Sequence, residues 1–142
     1  MNRQQQGRLA EQLARDYLEA AGYTFIEANF NRRVGEIDLV MRSPASQGSP
    51  PSYVFIEVRY RHSTAYGGAL ASIDWKKQRK MLRVANAWLQ KNATSRDPAR
   101  IDVIALEPHR PCHASSATSR SEPDLWRGHQ LLWLQNAVES AT

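Results

Sequence analysis

The spacing of apolar positions changes along the chain, and each change marks an element. Between Gly7 and Ala21, the residues Leu9, Leu13, Ala14, Tyr17, Leu18 and Ala21 recur at helical spacing, predicting a helix with one buried stripe that Gly22 ends from the cap position. Tyr23 to Asn29 reads as a first strand, Asn31-Arg32-Arg33 as a basic turn, and Glu36 to Met41 as a second strand entered through Gly35. Residues 42–52 are polar and rich in Ser, Pro and Gly, which predicts a flexible hairpin loop. Tyr53 to Arg59 alternates with β-rich residues and suits a central strand. After a loop from His62 to Gly68, a second helix starts at Ser72 or Asp74, either of which can cap it, and runs to about Asn92, with Leu82, Ala85, Trp88 and Leu89 on its apolar side. Arg100 to Leu106 is a further strand, residues 107–124 a second flexible loop, and Leu131 to Leu134 a short terminal strand followed by a turn over Gln135 to Val138. Trp88, Trp126 and Trp133 read as packing residues.

Strands interleaved with two helices predict an α/β fold, a mixed sheet flanked by helices. At 142 residues with 42% hydrophobic, the chain suits one domain spanning residues 1–142. The loop over residues 42–52 is no domain boundary, because the strands on both sides are needed for one site. Nineteen Lys and Arg against fourteen Asp and Glu leave a net charge of +5, which favours a polyanion partner without selecting nucleic acid. The lone Cys112 excludes an intrachain disulfide framework. No apolar run approaches the roughly 20 residues that cross a bilayer, and no apolar signal region follows Met1, so no membrane association and a cytoplasmic location are expected. His109, Cys112 and His113 lack the tight four-ligand spacing of a structural zinc.

Chemistry concentrates in two segments, Gly35-Glu36-Ile37-Asp38-Leu39-Val40 and Tyr53-Val54-Phe55-Ile56-Glu57-Val58-Arg59-Tyr60-Arg61. If the two strands are neighbours, Asp38 near the end of one and Glu57 near the end of the other can share a hard divalent cation, Mg²⁺ or Mn²⁺. Arg59, two residues after Glu57, then emerges on the same face and supplies positive charge for a developing phosphate oxyanion. The plainer alternative is two strand-end carboxylates paired with arginines and solvent. Glu11 borders the stripe of the first helix, where a third acid near a metal would sit; equally, it favours the helix dipole. Arg32 and Arg33 in the turn, Arg61 after the strand, and Lys76, Lys77, Lys80 and Arg83 on the second helix are candidate phosphate contacts, and Tyr66 a candidate base-stacking residue. Asp102 reads either as a supporting acid or, preferably, as a strand-end partner of Arg100.

These two segments, with Gly67, Lys77 and Arg100-Ile101-Asp102-Val103-Ile104, resemble the YraN family, also called UPF0102, over residues 7–137. The resemblance implies a restriction-endonuclease-like fold similar to the archaeal Holliday-junction resolvases. It also implies a Mg²⁺- or Mn²⁺-dependent endonuclease acting on branched or otherwise structured DNA. Within it Glu11 resembles the helix-borne glutamate of these nucleases, Asp38 the first metal-binding acid and Glu57 the second, and Lys77 is the favoured phosphate contact on the second helix. Arg59 is a departure, standing where the family usually has lysine, which can orient or activate water as arginine cannot. Two other classes stay open: a non-catalytic nucleic-acid-binding module, and a protein-interaction subunit such as a homodimer, which would expose an apolar surface.

Overall fold

The first helix is set by a motif two residues from the N-terminus. The Asn2 side chain accepts the Gln5 N–H at 2.8 Å, and the Gln5 side chain accepts the Asn2 N–H at 3.0 Å, a reciprocal capping box. Helix α1 (Arg3–Ala20) therefore begins earlier than the predicted Gly7. The computed structural model describes residues 2–61, 73–92, 97–109 and 124–138. In these, α1 is followed by β1 (Thr24–Arg32), β2 (Gly35–Arg42), β3 (Tyr53–Tyr60), α2 (Trp75–Asn92), β4 (Ala99–Pro108), β5 (Asp124–Trp126) and β6 (His129–Leu134). The strands form one sheet in the order β1-β2-β3-β4-β6-β5. Only β3 and β4 pair in parallel, joined by the crossover that contains α2; every other neighbouring pair is antiparallel. The expected α/β architecture, a mixed sheet flanked by helices, is what the chain adopts.

The two helices cover opposite faces. Leu13, Ala14 and Leu18 of α1 pack with Leu39, Met41, Val54, Ile56, Ile104 and Leu106. Met81, Val84, Ala85 and Trp88 of α2 pack with Ile37, Val40, Phe55, Ile101 and Val103. With both faces covered, the central strands are nearly continuous apolar runs, and a polar side chain within them needs a specific partner. The indoles behave as packing residues with satisfied N–H groups: Trp88 donates to Glu27, Trp126 to the Leu13 carbonyl and Trp133 to Asp102.

Several boundaries differ from expectation. β1 continues through Asn31 and Arg32 into the predicted basic turn, because both residues pair with β2 opposite Glu36 and Gly35. Arg32 consequently lies over the Phe30 ring, 4.7 Å from its centroid. Glu107 and Pro108, assigned to a loop, pair with Gln130 and His129 as the end of β4. The terminal strand is half of a hairpin, with Arg127 (φ 47°) and Gly128 (φ 79°) forming the turn between β5 and β6, the backbone signs of a two-residue I′ loop. The β2–β3 connection is the expected hairpin, tied by Ser43 N–H to the Ser52 carbonyl at 2.9 Å and Ser52 N–H to Ser43 Oγ at 2.7 Å. Asp74, one of the two anticipated caps, accepts the Lys77 N–H at 2.8 Å and starts α2.

Asp102 is not at a strand end. It lies in the middle of β4 with no exposed surface. Its oxygens accept Arg100 Nε at 3.0 Å, Trp133 Nε1 at 2.9 Å and the Asn136 N–H at 2.8 Å. The pairing with Arg100 is as expected; the links to β6 and the segment after it make the carboxylate a structural tie. Burial works against the Arg100 charge, but its hydrogen bonds to Asp102 and Tyr23 outweigh that and hold its pKa above the ordinary value. Asp102→Ala leaves the Trp133 and Asn136 N–H groups without their acceptor and Arg100 with the Tyr23 hydroxyl but no carboxylate. We expect a loss of about 3–5 kcal/mol in urea unfolding; a loss below about 1 kcal/mol would mean the network is not structural.

Candidate functional site

The site arises where the sheet splits. β2 and β3 pair from Arg42↔Tyr53 to Leu39↔Ile56 and stop. Beyond that point β2 stays paired to β1 as far as Gly35↔Arg32, while β3 stays paired to β4 as far as Tyr60↔Leu106. The register would next set Asp38 opposite Glu57, but the Asp38 side chain takes over from the ladder, its Oδ2 accepting the Val58 N–H at 2.8 Å. Strict alternation also fails here: Ile37 packs beneath α2, whereas Leu39, two residues on, packs beneath α1. The strands therefore fork at Asp38, and the two carboxylates sit at the base of the fork. Both are buried, at 8% exposure for Asp38 and 5% for Glu57, so neither is a solvent-facing strand-end acid.

Two cations approach the same oxygen of Glu57. Lys77 Nζ lies 2.8 Å from Oε1, and Arg59 Nε lies 3.3 Å from it. Arg59 Nε is buried yet not aligned for a hydrogen bond, so Lys77 is the closer partner by distance and Arg59 the looser one. Sequence reasoning foresaw Arg59 beside Glu57 but cast Lys77 only as a phosphate contact. Nothing in the spacing reveals that α2 returns over the fork and brings Lys77 down onto the acid.

Glu11 is set by a residue the sequence did not flag. Asn29 adopts a left-handed backbone conformation (φ 55°), which asparagine tolerates, and its Nδ2 donates to Glu11 Oε2 at 3.3 Å. Burial pushes the Glu11 pKa up; the Asn29 bond opposes this, and the charges of Glu36 and Glu57 add to it. The same field acts more strongly on Asp38. Burial first, then the charge of Glu57, push its pKa from 3.8 up to about 8, against the Val58 hydrogen bond and with help from Glu11 and Glu36. Glu36, missing from the expected set, is an exposed fourth acid in this field.

Beneath α2 the fork opens into a cleft of about 450 Å³, lined by Gly35, Glu36, Glu57, Lys76, Lys77 and Lys80 among others. Gly35 is required by its backbone, with φ 156°; the space around it is ordinary, an added Cβ lying 3.7 Å from Lys80 and Val84 side-chain carbons. Of the anticipated phosphate contacts, the three lysines line this cleft. Arg33 and Arg83 are exposed outside it, Arg32 is over Phe30, and Arg61 follows β3 on the other side. Tyr66, His62, Cys112 and His113 lie outside the described residues. Among the described residues no three His, Cys, Asp or Glu side chains form a ready metal cage; Asp38 and Glu57 are the inner pair, and Glu11 stands off at Asn29. No described helix is long and apolar enough to cross a membrane.

The class defined by this geometry is an α/β domain whose mixed sheet forks around a buried carboxylate pair beneath a lysine-lined cleft. Comparison with known proteins narrows it: the family described as "Uncharacterised protein family UPF0102" matches residues 10–106, and the chain belongs to that family. A UPF0102 protein of Aliivibrio salmonicida is 37% identical over 139 residues, covering 96% of this chain and 94% of its own. One from Haemophilus influenzae (strain PittGG) is 46% identical over 106 residues, covering 73% and 84% respectively. One from Serratia proteamaculans is 39% identical over 129 residues, covering 89% and 88%.

The raised Asp38 pKa has a measurable sign. Above about pH 4 the unfolded chain has released this proton while the folded one keeps it, so this group's contribution to stability falls as pH rises and levels off above about 8. Asp38→Asn keeps an oxygen for the Val58 N–H and cannot ionise. In metal-free buffer it should match the parent near pH 4 and exceed it near pH 8 by several kcal/mol, since each tenfold difference in proton affinity between the folded and unfolded chain is worth about 1.36 kcal/mol. Chemical denaturation across that range checks this, and parallel pH profiles would mean that Asp38 titrates as an ordinary carboxylate.

Proposed function

We propose that this chain is a Mg²⁺- or Mn²⁺-dependent endonuclease acting on DNA, with its centre at the fork between β2 and β3. The observation that carries the reading is the juxtaposition of Asp38 and Glu57, two buried carboxylates held together although their charges repel. Carboxylate oxygens are the donors these hard cations take, and one or two of them with waters and substrate phosphate are an ordinary Mg²⁺ set. Asp38 and Glu57 would hold the ion, with Glu11 as the outer acid from α1. When bound, the ion supplies polarisation of the phosphate and a lowered pKa for the attacking water.

The chain's own residues do the remainder. Arg59 and Lys77 carry positive charge to the oxygen where a phosphate would gain negative charge. The Val58 N–H orients Asp38 through Oδ2. Lys76 and Lys80 draw the phosphate backbone into the cleft. The likeness of the family to restriction-endonuclease-like nucleases agrees with an acid pair on adjacent central strands. One observation favours a second reading, a nucleic-acid-binding protein without turnover. Arginine stands at position 59, where the family resemblance leads one to expect lysine, and it cannot serve as a base.

The purified chain, incubated with labelled single-stranded, duplex, flap and four-way-junction DNA and Mg²⁺ or Mn²⁺, separates the two. Metal-dependent cleavage is expected, falling by about 100-fold or more in Asp38→Asn and retained or raised in Arg59→Lys. No product from the parent or Arg59→Lys on any DNA they bind would leave the non-catalytic reading. Equal cleavage by Asp38→Asn would reject the site.

A further inference from the structure

On the α1 side of the sheet a basic groove of about 840 Å³ lies between the start of α1 and the end of β3. Arg3, Gln6 and Gly7 line one wall, and Arg59, Tyr60 and Arg61 the other. Among the described residues, three arginines and no carboxylate line this groove. The first turn of α1 contains no acidic residue and its cap is the neutral Asn2, so the partial charge of the helix end adds to the arginines unopposed. Gly7 leaves the helix wall bare, an added Cβ there meeting nothing within 4 Å.

The groove and the lysine cleft adjoin along one strand. Glu57 lines the cleft, and the next four residues, Val58 to Arg61, line the groove. Glu57 of the acid pair lies where the two adjoin, with Arg59 reaching both the groove and Glu57 Oε1. A single small anion needs only one such basin. The cleft sets Lys76, Lys77 and Lys80 beside Glu36, Glu57 and Asp74, and the groove adds Arg3, Arg59 and Arg61; cations on both sides of Glu57 fit an extended polyanion with regularly spaced charges.

We infer that the groove between α1 and the end of β3 holds the phosphate backbone of a nucleic-acid strand on the far side of the acid pair from the lysine cleft, so that one strand crosses the fork. This rests on the proposed action on DNA and adds the path of the strand, a binding role for Arg3, and a place on that path for Arg61, already a candidate phosphate contact from the sequence. The crossing sets the phosphate between the two basins at Asp38 and Glu57.

The test uses the full chain in metal-free buffer with a fluorescent single-stranded oligonucleotide and the duplex made from it, titrated over a range of salt. Arg3→Gln with Arg61→Gln should weaken binding about tenfold and make the log–log salt slope shallower by about 1.5, with a similar loss for Lys76→Gln with Lys80→Gln. Photo-crosslinking amino acids at Gln6 and at Lys76 should attach to nucleotides on opposite sides of the phosphate cleaved when metal is added, or of the nucleotide between them if none is cleaved. Unchanged affinity and slope in the arginine variant, with the lysine variant still weakened, overturn the groove and leave the proposed function standing. Crosslinks from both positions to the same nucleotides overturn the crossing path. Failure of the parent to bind either probe overturns the proposed function and the groove with it.

Discussion

The hydrogen bond from the Val58 N–H to Asp38 Oδ2 is the constraint on which the rest of the site depends. A ladder that continued by one more residue would use backbone groups on both strands and set the two acids side by side on a flat surface. The carboxylate takes the place of a backbone carbonyl, satisfies Val58 and lets the strands diverge. Divergence creates the space beneath α2. The same bond partly offsets the burial of Asp38, which is otherwise costly beside Glu57.

The cost is accepted in a region of high local order. Every strand residue from Leu39 to Met41 and from Val54 to Ile56 is buried, and the two cores on opposite faces fix both strands before the fork begins. Asp102 plays a contrasting part in the same sheet. Its carboxylate is more deeply buried than Asp38, yet it is fully engaged by Arg100, Trp133 and Asn136. Three buried acids of one sheet thus divide between a satisfied tie and a strained pair, and it is the strained pair that has something to gain from a ligand.

Much of this was legible in the sequence because periodicity and apolar content act locally. The alternation and β-rich composition of residues 53–59 fixed a central strand, and the stripe from Leu9 to Leu18 fixed the burial of α1. The adjacency of Asp38 and Glu57 followed from a hairpin between two apolar strands. What escaped reading depends on long-range return of the chain or on backbone angles. Lys77 meets Glu57 only because α2 crosses over the fork. Asn29 holds Glu11 only because its backbone is left-handed, a state that no neighbouring residue announces. Asp102 read as a strand-end group because its partners Trp133 and Asn136 come from β6 and the turn after it, far along the chain. The Arg127-Gly128 turn lacks the Asn or Asp that usually signals such a hairpin, and β5 is three residues long.

The irregularities of β1 bear on how copies of the molecule behave in company. As an outer strand of the sheet, β1 presents backbone groups that another chain could extend. It is interrupted by a register shift between Phe25 and Glu27 and by the left-handed Asn29, and it ends on an arginine. At the opposite margin, β5 offers only three residues. Neither margin is a long, flat template, so strand addition in the manner of amyloid growth is disfavoured at both, and the arrangement that positions Glu11 also guards the sheet against aggregation.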